Sequence, residues 1–532
     1  MSKPYRNTKP NFLVFMTDQH RADWLGCMGH PVVKTPNLDA LAASGTLFTD
    51  FHVASPVCMP NRASLMTGRM PGVHGLRYNG CVLSKGANTF VDVLAAAGYD
   101  TAAIGKSHLQ PFTEVAPHRA TSVKEDPTGV RQQPVAEAWK PENMDYLSEQ
   151  PVRYQDTRDY DFPTPYYGFN HIDMVTGHGD QCGGHYQQWF RRQCPDWEAL
   201  THPANELPHH YTCPQAYRTP IPEEYYPTTW IADRAIDFLQ GRHADSAPFF
   251  SFVSFPDPHH PFNPPGKYWD MYLPGDFEPP LPAEAHQNPT PPMQHLQKLY
   301  EQGVGAKTLQ TAFRASMQHC KEIMALTAGM ITMIDDQIGR VIATLKASGE
   351  YENTVILFTS DHGDYMGDFG LMLKGALPFQ AITRVPMIWS DPATREGRIT
   401  DTLASTIDIA ASILDRAGLL PYNGMQGESF LNSLSGEAAH RDELFIEYND
   451  GLPRLGFDVP ARVRVLRTKD YRFTHYKDQA WGELYDLKTD PNECHNRWDD
   501  PDYQEVKAEL SLRLINQMTG QMDTSPLSER LA

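Results

Sequence analysis

NFLVFMTD, residues 11–18, is a continuous apolar run that ends on an acid. A strand exposed on one face alternates polar and apolar residues; one buried on both faces, as in a parallel sheet covered by helices, does not. The run therefore predicts a central parallel strand. Asp18 falls at its carboxyl end, the edge at which open α/β sheets bind ligands.

Downstream segments repeat this scheme. TPNLDALAASG (35–45) predicts a helix with Thr35 as N-cap, Pro36 at the first position and Gly45 as stop. NTFVDVLAAAGYDTAAIGK (88–106) predicts a capped helix, a stop at Gly98 and a short strand ending at Lys106. Helical patterns follow at 229–241, about 312–347 and 405–418, and strand-like runs at 248–255, 354–360 and 385–390. The predicted fold class is α/β: a large doubly wound, mostly parallel sheet flanked by helices, plus a small C-terminal antiparallel sheet domain. LFIEYND, ARVRVLRTKDYRFTHY and ELYDL supply that last sheet. The expected domains are 1–438, catalytic, and 439–532, a small α+β unit. Residues 110–225 are rich in Pro, His, Tyr and Asp with little periodicity, and read as an irregular insertion in the first domain.

A chain of 532 residues has ample length for two such domains. Its formal charge of −19 disfavours nucleic acid and anionic membrane surfaces as partners. No apolar run reaches the length of a membrane span, and MSKPYRNTKP lacks the hydrophobic stretch of a signal peptide, so a cytoplasmic location is expected. The eight cysteines are scattered without regular pairing and without a CxxC, which argues against a zinc knuckle or a thioredoxin-type site.

Several predicted strands end in ionisable groups: Asp18, Lys106 with His108, His259 after SFVSFPDP, and Asp361-His362 after TVILFTS. Any one of them could be a helix cap or turn former. In a parallel sheet, however, these ends share one edge. Asp18, Asp361 and His362 offer two carboxylates and an imidazole, a set suited to Ca²⁺ or Mn²⁺. Arg62, Lys106 and Lys374, with the histidines, supply cationic groups for an anionic substrate. Together they point to transfer of a tetrahedral oxyanion group.

SPVCMPNRASLMTGRMPGVHG (55–75) adds a thiol to that edge. PNRASLMTG (60–68) predicts a helix start with Pro60 near its first position, so Cys58 lies just before the positive end and Arg62 in the first turn. Electrostatics then predicts a low-pKa thiolate, a nucleophile by its chemistry, although no Cys-His signature surrounds it.

Cys58-Met59-Pro60-Asn61-Arg62 resembles the C-x-P-x-R maturation motif of type I sulfatases in the alkaline phosphatase superfamily. TDQHRAD (17–23), GKSHL (105–109), PHHP (258–261), SDHGDYMGDFGLMLKG (360–375) and ELYDLKTDPNE (483–493) resemble further motifs of that family, in its order. The resemblance implies that a formylglycine-generating enzyme oxidises Cys58 to Cα-formylglycine, whose hydrate is the nucleophile. It implies Asp18, Asp361, His362 and the modified Cys58 as ligands of one divalent cation, Ca²⁺ or Mn²⁺, with Gln19 as a candidate further ligand. Gln19 stands where many arylsulfatases have a second metal-binding Asp, and His362 where many have Asn. Both departures are similar to the branch with choline sulfatases and phosphonate monoester hydrolases. Lys106 and His108 match a K-x-H pair that the phosphonate hydrolases typically lack, which favours a small sulfate ester as substrate. By the same resemblance Arg62 supports the hydrate, and Lys106 and Lys374 offset charge on sulfate oxygens. His259 or Lys374 protonates the leaving oxygen, and His108 takes a proton from the second hydroxyl. Asn79 matches a substrate-contacting Asn, and also fits a turn residue before Gly80. A homo-oligomer is compatible with the resemblance.

Two alternatives stand beside sulfate monoester hydrolysis. One is a phosphonate monoester or phosphodiester hydrolase; the other is a non-catalytic, metal-dependent binding protein in which Cys58 stays a thiol. His178 and His185, in the irregular region, carry no assignment.

Overall fold

The first strand, β1 (Asn11–Thr17), is buried along its whole length, and both its neighbours run parallel to it. The computed structural model describes residues 9–113, 138, 145–156, 158–243, 246–304, 310–435 and 439–528. The other strands of the main sheet are β2 (Thr46–Phe48), β3 (Asp100–Lys106), β4 (His171–Thr176), β5 (Gly183–Gly184), β6 (Phe249–Ser254), β7 (Thr354–Ser360), β8 (Met387–Ser390) and β9 (Arg398–Thr400). They form a nine-stranded sheet in the order β9-β2-β8-β7-β1-β6-β3-β4-β5. From β7 to β4 every pairing is parallel; β8 lies antiparallel to β7 and β2, and β5 antiparallel to β4.

The absence of alternation in β1 has a simple cause: helices cover both faces. Phe12, Val14 and Met16 pack with Ala63 and Met66 of one helix (Cys58–Thr67), Leu94 of a second (Phe90–Ala96) and Ile409 of a third (Thr406–Arg416). Leu13 and Phe15 face the other way, onto Ile231, Ile334 and Ile338 of the helices Pro227–Gln240 and Met317–Ala347. Each fully buried side chain of this size is worth about 1.5–3 kcal/mol relative to exposure. Moving any one of these strands would therefore cost several such contacts.

The region 110–225 carries local structure, part of which joins the main sheet. It contributes β4, which pairs with β3 from Ala102↔His171 to Lys106↔Val175, and a helix at His185–Gln193. Its strand escapes notice because HIDMVT is short and carries two charged or polar positions on its exposed side. Residues 114–137, 139–144 and 157 of this region lie outside the described residues.

A second, four-stranded antiparallel sheet consists of Glu443–Asn449, Arg462–Thr468, Tyr471–Tyr476 and Gly482–Asp486. One face packs Val463, Val465 and Tyr476 against Tyr365, Leu377 and Phe379 of the loop that follows β7. The Tyr476 hydroxyl donates to the Ala376 carbonyl at 3.0 Å. This sheet thereby braces the loop that carries Lys374. No helix among the described residues is long and apolar enough to cross a membrane.

Candidate active site

Five adjacent parallel strands end on one edge, and each delivers an ionisable group there. β1 leads into Asp18, β3 ends on Lys106, β4 leads to His178, β6 to His259, and β7 to Asp361 and His362. β3 and β6 pair in parallel up to Gly105 and Ser254 at this edge. Gly105 has φ +104°, and a Cβ there would lie 2.0 Å from the Ser254 carbonyl oxygen, so only glycine fits.

Cys58 is the first residue of the helix Cys58–Thr67, with Val57 as N-cap, so it sits within the positive end and Pro60 is third. The sequence had suggested a start two residues later. Cys58 Sγ lies 3.1 Å from His362 Nε2 and 3.8 Å from Asp18 Oδ1. Arg62, one turn on and 1% exposed, donates from Nε to Asp361 Oδ2 at 2.7 Å and from Nη1 to the Lys106 carbonyl and Ser254 Oγ, both at 2.9 Å. Its Nη2 reaches Asp18 Oδ2 at 3.5 Å. The guanidinium thus ties β1, β3, β6 and β7 together under the thiol.

Asp18, Cys58, Asp361 and His362 are all buried, and their ligand atoms lie within 4.8 Å of one another. His362 Nδ1 is 2.9 Å from the Gly363 carbonyl, to which it donates, and Nε2 faces the cluster. Two carboxylates, a thiol and an imidazole so placed could hold a divalent metal ion.

Opposite this cluster stands an arc of cations and imidazoles. Lys106 Nζ donates to Asp18 Oδ2 and, at 2.7 Å, to His178 Nε2. The His178 ring stacks on His259, centroids 3.7 Å apart and planes at 12°. His259 Nδ1 contacts the His260 carbonyl at 2.7 Å, and its Nε2 accepts from Lys374 Nζ at 2.9 Å. Burial lowers the pKa of His108, His178 and His259 well below the usual imidazole range, and the Lys106 charge adds to the effect at each. Burial alone would raise the Asp18 pKa; Lys106, then Arg62 and His362, outweigh it and hold the carboxylate well below its ordinary range. For the Cys58 thiol, burial and Asp18 push up, while Lys374, His362 and Lys106 pull down and prevail.

His108 adopts φ +59° and stacks on Phe112 at 4.1 Å. Glu149 fixes that turn: its carboxylate accepts the backbone N–H groups of His108, Leu109 and Gln110 at 2.8, 3.0 and 3.0 Å. Asn79 is exposed at the rim, where its Oδ1 accepts the Met59 N–H at 3.2 Å beside Cys58. Gln19, with φ +63°, accepts from Lys374 Nζ at 2.8 Å through Oε1. Its Nε2 donates to Asp364 Oδ2 at 2.6 Å.

All the residues singled out from the sequence therefore converge on one edge, Asn79 at its margin. Three groups there were not anticipated: His178, Glu149 and Asp364. His178 and Glu149 come from the aperiodic region, and Asp364 lies in the same SDHGD segment as two expected ligands.

A family model described as Sulfatase matches residues 10–419. The chain belongs to the sulfatase family of the alkaline phosphatase superfamily. This sulfatase is accordingly a sulfuric ester hydrolase. A second model, for the C-terminal part of N-sulphoglucosamine sulphohydrolase, matches residues 367–520. The sulfatase is 28% identical over 517 residues to an arylsulfatase of Clostridium perfringens, across 96% of this chain and 95% of that one. It is also 28% identical over 540 residues to the multifunctional alkaline phosphatase superfamily protein PehA of Trinickia caryophylli, with coverage of 96% and 95%. Among solved structures, the phosphonate monoester hydrolase of Agrobacterium radiobacter matches with a TM-score of 0.75 and 26% identity, over 98% of both chains.

Proposed function

We propose that this sulfatase hydrolyses sulfate monoesters in the manner of an arylsulfatase, using Cys58 in its Cα-formylglycine form. A formylglycine-generating enzyme would act on the Cys58-Met59-Pro60-Asn61-Arg62 segment. Asp18, Asp361 and His362, with the residue-58 side chain, would hold one divalent cation, Ca²⁺ or Mn²⁺, which when bound supplies a Lewis acid. One hydroxyl of the hydrated residue 58 is the attacking oxygen, and the ester S–O bond to the alcohol or phenol is the one broken.

The chain's own groups divide the remaining work. Arg62, fixed by Asp361 and the Lys106 carbonyl, orients residue 58 from one side. Lys106 and Lys374 are buried ammonium groups that offset charge on the non-bridging sulfate oxygens without reorganising. His259 Nε2 accepts from Lys374, so Lys374 carries the proton that goes to the leaving oxygen, and His259 orients it. His108, neutral by burial, is the base for the second hydroxyl, whose proton loss releases inorganic sulfate.

One observation carries this reading: Lys106 of the K-x-H pair bridges Asp18 and His178 beside Cys58. The structural likeness to a phosphonate monoester hydrolase, with Gln19 and His362 at the cation cluster, favours a second reading, phosphonate monoester or phosphodiester hydrolysis. Parallel kcat/KM measurements on para-nitrophenyl sulfate and phenyl phosphonate monoesters decide between them. A sulfate preference is expected; phosphonate turnover faster by orders of magnitude would overturn the leading reading.

A further inference from the structure

His108 leaves the sheet edge by a strained turn, and a second segment is built to hold it. Its φ of +59° lies in the left-handed region, which a residue other than glycine occupies at an energetic cost. The turn points three successive backbone N–H groups, those of His108, Leu109 and Gln110, at one fully buried carboxylate, Glu149. Successive N–H groups converging in this way form a nest for an anion. Flanking bonds join the same two segments: Ser148 N–H donates to Gln110 Oε1 at 3.2 Å, and Gln150 Nε2 to the Pro111 carbonyl at 2.9 Å.

The two oxygens of Glu149 are unequally loaded. Among the described residues, Oε1 accepts from three donors: the Leu109 and Gln110 N–H groups, both at 3.0 Å, and the Tyr166 hydroxyl at 2.6 Å. Oε2 accepts from one, the His108 N–H at 2.8 Å. All four partners are donors, so both oxygens must be acceptors. Burial raises the Glu149 pKa, and the hydrogen bonds from Tyr166 and the three N–H groups oppose that rise. Lys106, two residues before His108, is held separately, by β3 and by its contacts with Asp18 and His178.

We propose that Glu149 is a positioning residue for His108: by holding the His108 N–H it keeps the imidazole in place for the release of sulfate. This rests on the reading of His108 as the base of that step. The step follows cleavage of the ester S–O bond. His108 takes the proton of the remaining hydroxyl on residue 58, and the oxygen's electron pair re-forms the carbonyl. The C–O bond to sulfate breaks, and its pair leaves with inorganic sulfate. The unequal loading makes a specific demand on substitutions. In Glu149→Gln the amide keeps its oxygen where three donors converge and turns its NH₂ toward the His108 N–H, donor against donor. This isosteric change therefore strikes His108 alone. Tyr166→Phe is the matched control: it removes one bond from the other oxygen and leaves the His108 contact in place.

The test compares E149Q, Y166F and H108A in the metal-loaded, full-length enzyme, on a nitrophenyl ester of whichever class the wild type turns over. E149Q should lower kcat by about 10- to 100-fold, as a misplaced catalytic group does. Its kcat/KM should stay near wild type, because ester cleavage precedes the affected step. Y166F should keep the wild-type kcat. A purely structural role would make E149Q and Y166F alike, since each removes one hydrogen bond from the same buried carboxylate. In the H108A background, E149Q should bring no further loss. Hydrogen exchange on the metal-free protein gives a readout independent of turnover: E149Q, and not Y166F, should speed exchange in the peptide that contains His108. Equal kcat losses in E149Q and Y166F, losses that multiply in the E149Q/H108A double variant, or E149Q at the wild-type kcat would overturn the proposal. Should E149Q fail to fold by circular dichroism, Glu149→Asp draws the carboxylate back and is expected to show the same split; a wild-type kcat there would overturn it. A fall in kcat/KM as large as that in kcat for H108A would count against His108 as the base of release. The double variant would still decide whether Glu149 acts through His108.

Discussion

His362 Nε2 stands 3.1 Å from Cys58 Sγ, with its other nitrogen tied to the Gly363 carbonyl. The residue at 58 and the imidazole are therefore held as neighbours in one buried cluster. If residue 58 works as an oxidised side chain, the thiol should be missing from active protein. Mass spectrometry of the peptide containing Cys58 is expected to show oxygen in place of sulfur, with no alkylation and with reaction toward a carbonyl reagent. Fully active protein carrying an alkylatable Cys58 thiol would sink this expectation. Cys58→Ala should lower kcat by more than about a thousandfold, as removal of a nucleophile does.

Lys374 and His259 are in contact at 2.9 Å and are expected to act on the leaving oxygen. Lys374→Ala should lower kcat/KM by about 10²- to 10⁴-fold for esters of poorly acidic alcohols, the usual range for a general acid. For nitrophenyl esters, whose leaving oxygen needs little help, the loss should be much smaller. A loss equal across the series would assign Lys374 to the non-bridging oxygens alone.

The cation cluster predicts dependence on a divalent ion. Chelation should abolish turnover, and Ca²⁺ or Mn²⁺ should restore it, with the more effective ion identifying the native one. At a hundredfold excess over Kd, a bound ion stabilises the fold by about 3 kcal/mol, so chelation should also lower Tm. His362→Ala should reduce bound metal in elemental analysis. Stoichiometric metal in that variant would remove His362 from the ligand set.

Away from the site, Asp408 anchors the helix Thr406–Arg416 to the segment that enters the second sheet. Its carboxylate accepts from Ser405 N at 2.9 Å, Glu428 N at 2.9 Å, His440 Nε2 at 3.1 Å and Arg441 Nη2 at 2.7 Å. Burial would raise its pKa, but Arg441 and then His440 outweigh it and lower it to about 2. A carboxyl depressed in the folded state stabilises the protein above its unfolded pKa and loses that contribution as pH falls through the folded value. The wild type should therefore lose about 2 kcal/mol from this group between about pH 4 and pH 2, and Asp408→Asn should not. Urea unfolding across that window checks the difference; parallel acid profiles for the two proteins would contradict it.

The legible part of this protein is local. Unbroken burial in NFLVFMT and TVILFTS follows from helices on both faces, and each run ends where its chemistry begins, at Asp18 and Asp361. Cys58 and Arg62 are one helical turn apart, so their shared orientation also follows from the sequence. The start of that helix did not: Cys58 is its first residue because Val57 takes the extended N-cap conformation, and Pro60 is tolerated anywhere in the first turn. His178 was obscure because the strand that leads to it is short and its surroundings lack periodicity.

Hydrophobic periodicity and capping act over a few residues, so the chain alone dictates which elements form and which reactive groups end them. The pairing of those groups is a matter of three dimensions. Gln19 and Asp364 are 345 residues apart, Lys106 and His178 are 72 apart, and Arg62 and Asp361 are 299 apart. Each buried donor must find an acceptor, and at the carboxyl edge of the sheet that partner is supplied by whichever strand lies next in space. Strand order, which no local pattern encodes, thus chose the partners that turn a set of polar strand ends into one site.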